Sequence, residues 1–113
     1  MIETIVRDYL NNALNVPVYM EVPKDIALPN EFVVVEKTGS GRTNHLNAAT
    51  FAIQSYSTSM YKAAVLNEQV KEAMDSLMTL DEVSRSALNS DYNFTDIQKR
   101  QYRYQAVYDI NHY

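Results

Sequence analysis

At 113 residues with a formal net charge of −4, the chain has the length of one domain, 1–113, with a modest core. It contains no cysteine, which excludes disulfides, a thiol nucleophile and a thiolate metal site. Residues 1–36 hold six acids against two bases, and the remainder is balanced at eight and eight; with no basic stripe to neutralise phosphates, tight nucleic-acid binding is not expected.

The opening MIETIVRDYL carries acids early and no long apolar run. It reads as neither a signal peptide nor a membrane span, so a protein made in a reducing cytoplasm is expected. Ile2, Ile5, Val6, Tyr9, Leu10, Ala13 and Leu14 recur at the three-to-four spacing of one helical stripe. Val16-Pro17 ends that helix, because the residue before a proline avoids helical geometry. In VPVYMEV, Val16, Val18, Met20 and Val22 share one parity and predict a strand over 16–22. PKDIALPN, residues 23–30, reads as a loop framed by two prolines. Phe32 to Val35 is a continuous apolar run, the mark of a strand covered on both faces. TGSGRTNHLN holds both glycines, Gly39 and Gly41, and predicts a long hairpin loop over 38–47. ATFAIQSYS returns as a strand with Ala49, Phe51 and Ile53 on one face.

Ser57-Thr58-Ser59 supplies a start for the second helix, which runs to about Leu77. Its buried stripe is Met60, Ala63, Leu66 (or Asn67), Val70, Ala73, Met74 and Leu77, while Glu68–Lys71 and Lys71–Asp75 are spaced for weak surface pairing. LDEVSRSALNSDYNF alternates only in part and suits a half-exposed strand; TDIQKRQ is a turn, and QYRYQAVYDINH is the last strand. The expected fold is α/β of the α+β kind: a mixed, mostly antiparallel sheet with two helices packed on it, in the order α-β-β-β-α-β-β. A strand, a helix and a strand in succession imply one crossover, expected to be right-handed.

Few residues here suggest chemistry. GSGR lacks the strand-to-helix setting and the lysine of a phosphate-binding loop, so a hairpin tip is the expected reading. His45 and His112 stand far apart, with no further ligand at metal-binding spacing. No nucleophile-elbow motif is present, and no catalytic site or cofactor is expected. Asp91 and Asp96 bracket YNFT; they are readable as paired carboxylates or, more simply, as residues capping a hairpin. Nine tyrosines stand against three phenylalanines and no tryptophan. Rings with a wet hydroxyl suit subunit contacts, so Tyr92, Tyr102, Tyr104 and Tyr108 are candidate interface residues. The alternative is that Tyr102, Tyr104 and Tyr108 line the sheet beneath the second helix.

The succession of pieces resembles the tail terminator (tail completion) proteins of long-tailed, non-contractile bacteriophages. The matching stretches are the amphipathic first helix leading into LNVPVYMEVP, then PNEFVVVEKTGSGR, ATFAIQSYSTSMYKAAVLNEQVKEAM and NSDYNFTDIQKRQYRYQAVYDI, spanning Ile2 to Ile110. The resemblance implies a structural, non-enzymatic virion protein, assembled in the host cytoplasm and placed in the phage neck. It implies a hexameric ring that caps the tail tube, stops its polymerisation and meets the head-closure or connector protein, with DNA passing through. The partners are then copies of the same chain, the tail tube protein and the connector, with no membrane. It further implies that the hairpin, with Lys37, Arg42, Asn44 and His45, meets neighbouring rings and that the end of the chain makes ring contacts. On charge placement, Glu21, Asp25, Glu31 and Glu36 are candidates for an acidic channel face that repels DNA. Another neck protein, such as a head-closure or connector-bound adaptor, or a non-catalytic α/β binding module, is the alternative.

Overall fold

The computed structural model describes residues 1–22, 30–43, 46–99 and 101–113. The protein is α+β: two helices lie against one face of a five-stranded, mostly antiparallel sheet. Helix α1 spans Ile2–Ala13 and buries Ile2, Val6 and Leu10, the core of the predicted stripe. Strand β1 is only Val18–Tyr19 and pairs parallel with β2, Phe32–Thr43. The predicted strand over 16–22 is thus cut to two residues. Val18 is buried, but Met20 and Val22 are partly exposed, since among the described residues no strand pairs with the outer edge of β1.

Strand β3, Leu46–Ser57, runs antiparallel to β2 over its whole length. The predicted hairpin loop over 38–47 is therefore mostly ladder: Gly39 pairs with Thr50 and Gly41 with Ala48, after a bulge between Lys37 and Gly39. A ladder needs only backbone groups, and neither glycine adopts the left-handed conformation that a turn would demand. An added Cβ at either position meets nothing within 4 Å. Gly39→Ala should accordingly raise stability, by about 0.5–1 kcal/mol, by restricting the unfolded chain. A thermal melt showing a loss of that size would restore the turn reading.

Ser59 caps helix α2, Met60–Asp75, by accepting from the Lys62 backbone N–H at 3.2 Å. The helix ends before Leu77, which is still buried but opens a 3-10 turn, Leu77–Thr79. Strands β4, Val83–Asn93, and β5, Tyr102–His112, complete the sheet in the order β1-β2-β3-β5-β4. Both β3 and β4 run antiparallel to β5, so they are parallel to each other with β5 filling the gap between them. The crossover expected from the succession of elements is present as this split β3-α2-β4 unit. Its helix must cross the sheet, and it lays Ala63, Leu66, Val70 and Met74 over Val33, Phe51, Ile53, Ala106, Tyr108 and Ile110.

Side chains fasten both helices. Tyr9 donates to the Ala73 carbonyl at 2.7 Å, tying α1 to α2. Lys37 on β2 pairs with Glu3 on α1 at 3.0 Å, and this holds the Glu3 carboxyl below the usual carboxylate range. Lys71 on α2 bridges Glu68 at 2.7 Å and Asp91 at 2.5 Å, rather than Asp75. Among the described residues no helix is long and apolar enough to cross a membrane.

Candidate interaction surfaces

Strand alternation leaves a second sheet face that no helix covers among the described residues. Gln54 Nε2 donates to Gln105 Oε1 at 2.9 Å, the Tyr56 hydroxyl donates to Gln54 Oε1 at 3.0 Å, and Gln105 Nε2 donates to the Tyr92 hydroxyl. A second row is built on Asp109, which accepts from Thr50 Oγ1 at 3.1 Å and Asn89 Nδ2 at 2.9 Å. Between the two rows lie the short side chains of Ala52, Val107 and Ser90, with Glu36 of β2 beside Ala52. Hydrogen bonds across strands fix these side chains, so the face is flat and polar rather than a cleft.

At one end of this face an aromatic row crosses the whole sheet. Tyr19 meets Phe32 edge-on with centroids 6.0 Å apart, and Phe32 stacks on Tyr56 at 4.5 Å. The Arg103 guanidinium lies 5.6 Å from the Tyr56 centroid and 4.5 Å from that of Phe94, which meets Tyr92 at 6.0 Å. Arg103 is also committed by hydrogen bonds to the Phe94 carbonyl at 2.7 Å and the Tyr56 hydroxyl at 3.1 Å. Its charge is therefore spent inside the protein, holding Phe94 in place.

Beyond Phe94 the chain turns sharply. Asp96 and Gln101 exchange two backbone hydrogen bonds of 3.0 Å, and Asp96 also accepts from the Lys99 backbone N–H at 3.2 Å. Asp96 thus takes the capping role. Asp91 instead points at α2, accepting from Asn67 Nδ2 at 2.6 Å, so the two carboxylates form no paired site. The tip presents Ile97 at 81% exposure beside Lys99, with Phe94 and Tyr92 partly exposed behind it. At the opposite end of β4, α1 and the turn before β4 enclose an open apolar groove of about 500 Å³, lined by Ile5, Tyr9, Ala13 and Leu80 and edged by Asp8, Asn12 and Glu82.

The sequence-predicted residues scatter over these surfaces. Tyr108 is 2% exposed beneath α2, and burial pushes its hydroxyl up to about 12, so it belongs to the core and not to an interface. Tyr102 and Tyr104 share its parity and are half-buried, whereas Tyr92 lies partly exposed on the opposite face. Lys37 is held by Glu3 and Arg42 is exposed within β2, so the described part of the predicted docking loop is strand, while Asn44 and His45 fall outside the described residues. Glu36 shares the helix-free face with Phe32 and Val34, while Glu31 lines a groove against Tyr61 and Val65 of α2. These two acids do not share a face, Glu21 is exposed apart from both strands, and Asp25 is outside the described residues. The single acidic face is thereby corrected: charges close in sequence point to different sides once β2 alternates.

The Arg103 network and the Ile97 tip were missed from sequence. Their signals were the odd-numbered parity of β5 (Arg103, Gln105, Val107, Asp109) and one isoleucine inside an otherwise polar turn. Among the described residues no three His, Cys, Asp or Glu side chains gather where a metal ion could be held. Fold and surfaces together define an α+β protein with a flat polar sheet face and apolar groups exposed at its ends. No protein-family model matches the chain, and no curated protein matches it in sequence.

Proposed function

We propose that the chain is a structural subunit of a phage neck, a tail-terminator-like protein that forms a hexameric ring on the upper end of the tail tube. In that role it stops the addition of tube subunits, offers a surface to the head's connector and lets DNA through its centre. It acts by association, without a cofactor, in virions assembled in the host cytoplasm. The ordered pieces that carry the resemblance support the reading, as does their arrangement as two helices on a mostly antiparallel sheet. The observation that carries it is the set of large side chains left in water, above all Ile97 at 81% and Tyr61 at 77% exposure. Exposed apolar side chains mark interaction sites where they form a continuous patch, and unlike surfaces on one subunit close into a ring when the rotation between copies closes.

The purified protein, added to polymerising tail-tube subunits, is expected to arrest tube length and to sit as a ring at one tube end in electron micrographs. The bound ring should have the mass of about six subunits. Binding to the connector with tube ends left bare would select the head-closure alternative. A protein that binds neither is not a neck component.

A further inference from the structure

We infer that copies of the chain join head to tail, the β4–β5 tip of one seated in the α1 groove of the next. The inference rests on the ring reading only in that copies associate; it names the two surfaces that do so. The tip and the groove lie at opposite ends of the sheet. Leu80 and Glu82 of the groove immediately precede Val83, which pairs with His112, while the tip follows Asn93, which pairs with Tyr104. Ten strand steps separate those ends, about 33 Å at 3.3 Å per residue. A subunit therefore cannot fill its own groove with its own tip.

Chemistry and charge match. The tip offers one branched apolar side chain, Ile97, with the cation of Lys99 two residues on. The groove offers an apolar floor of Ile5, Tyr9, Ala13 and Leu80, with the exposed carboxylate of Glu82 at its rim. Asp8 also stands there but is already paired with Arg7 at 2.8 Å, so Glu82 is the acid left to meet Lys99. The tip is held before any contact, by the paired Asp96–Gln101 hydrogen bonds and by Arg103 under Phe94, which lowers the entropy lost on docking. Strand pairing between copies is the less suitable joint. Bulges at Val83/Arg85 and Leu88/Ser90 break the β4 edge, and the other edge strand, β1, is only two residues long.

Sedimentation and an oxidative cross-link test the joint. Ile97→Asp should weaken self-association at least tenfold with an unchanged circular-dichroism spectrum. Lys99→Glu should weaken it severalfold, and adding Glu82→Lys in the same chain should restore it. The chain has no native cysteine, so Ile97→Cys with Ala13→Cys should give a ladder of covalent oligomers, and neither single variant should pass a dimer. Intact rings in Ile97→Asp, with no ladder from the double-cysteine chain, overturn the joint while leaving the ring standing. Intact rings in Ile97→Asp that no longer cap tubes also overturn it and assign the tip to the tube protein. A chain that stays monomeric at every concentration and on tube ends overturns joint and ring together.

Discussion

Phe51→Ala is expected to remove about 3–5 kcal/mol of unfolding free energy, a large part of what a protein of this size has. Phe51 is fully buried on β3, directly opposite Tyr108 on β5 and within the cluster that α2 closes. Truncation leaves a void that the paired strands on either side cannot collapse into, since both are pinned by backbone hydrogen bonds. Urea denaturation measures the loss, and Phe51→Leu, which keeps most of the volume, should lose less than half as much. A loss below about 1 kcal/mol for Phe51→Ala would mean that α2 does not press on this strand as described.

The second large effect is expected at Asp91. It accepts from Asn67, a residue 2% exposed, and from Lys71, so it anchors the edge strand β4 to α2. Asp91→Ala strands the Asn67 amide, whose oxygen is already without a partner, and should lower stability by about 1–3 kcal/mol. The pairs with Asp91 and Glu68 raise the Lys71 pKa above its ordinary value. A raised folded-state pKa stabilises fully below the unfolded value, near 10.4, and that contribution is lost as pH climbs through the folded value. Wild-type stability should therefore fall at alkaline pH with a component that Asp91→Asn reduces. Equal slopes for the two proteins above about pH 10 would show that Lys71 gains little from Asp91.

The helices and the buried face of the sheet were legible because they rest on periodicity. Val6 and Leu10 on α1, Ala63, Val70 and Met74 on α2, and Phe51 and Ile53 on β3 are core positions that apolar spacing marks. The placement of β5 between β3 and β4 was not legible, because the pairing partner of a strand depends on groups far away in sequence. Gly39 and Gly41 misled for a related reason: in a polar run they look like turn residues, although the ladder asks nothing of a side chain. The four acids at Glu21, Asp25, Glu31 and Glu36 showed where charge sits along the chain but not on which surface it emerges. Ile97 carried no periodic signal, since a single apolar residue in a turn belongs to no stripe.

Strand β5 lies at the heart of the sheet, paired along its length with β3 on one side and β4 on the other. The molecule is elongated, 44 Å by 24 Å by 23 Å. Tension applied between the 96–101 turn and the far end of the sheet would run along these strands. The hydrogen bonds flanking β5 would then be strained side by side, in shear, instead of opening singly from one end. The domain is in effect a stiff strut, able to hand a mechanical pull from one end to the other while its interior stays in register.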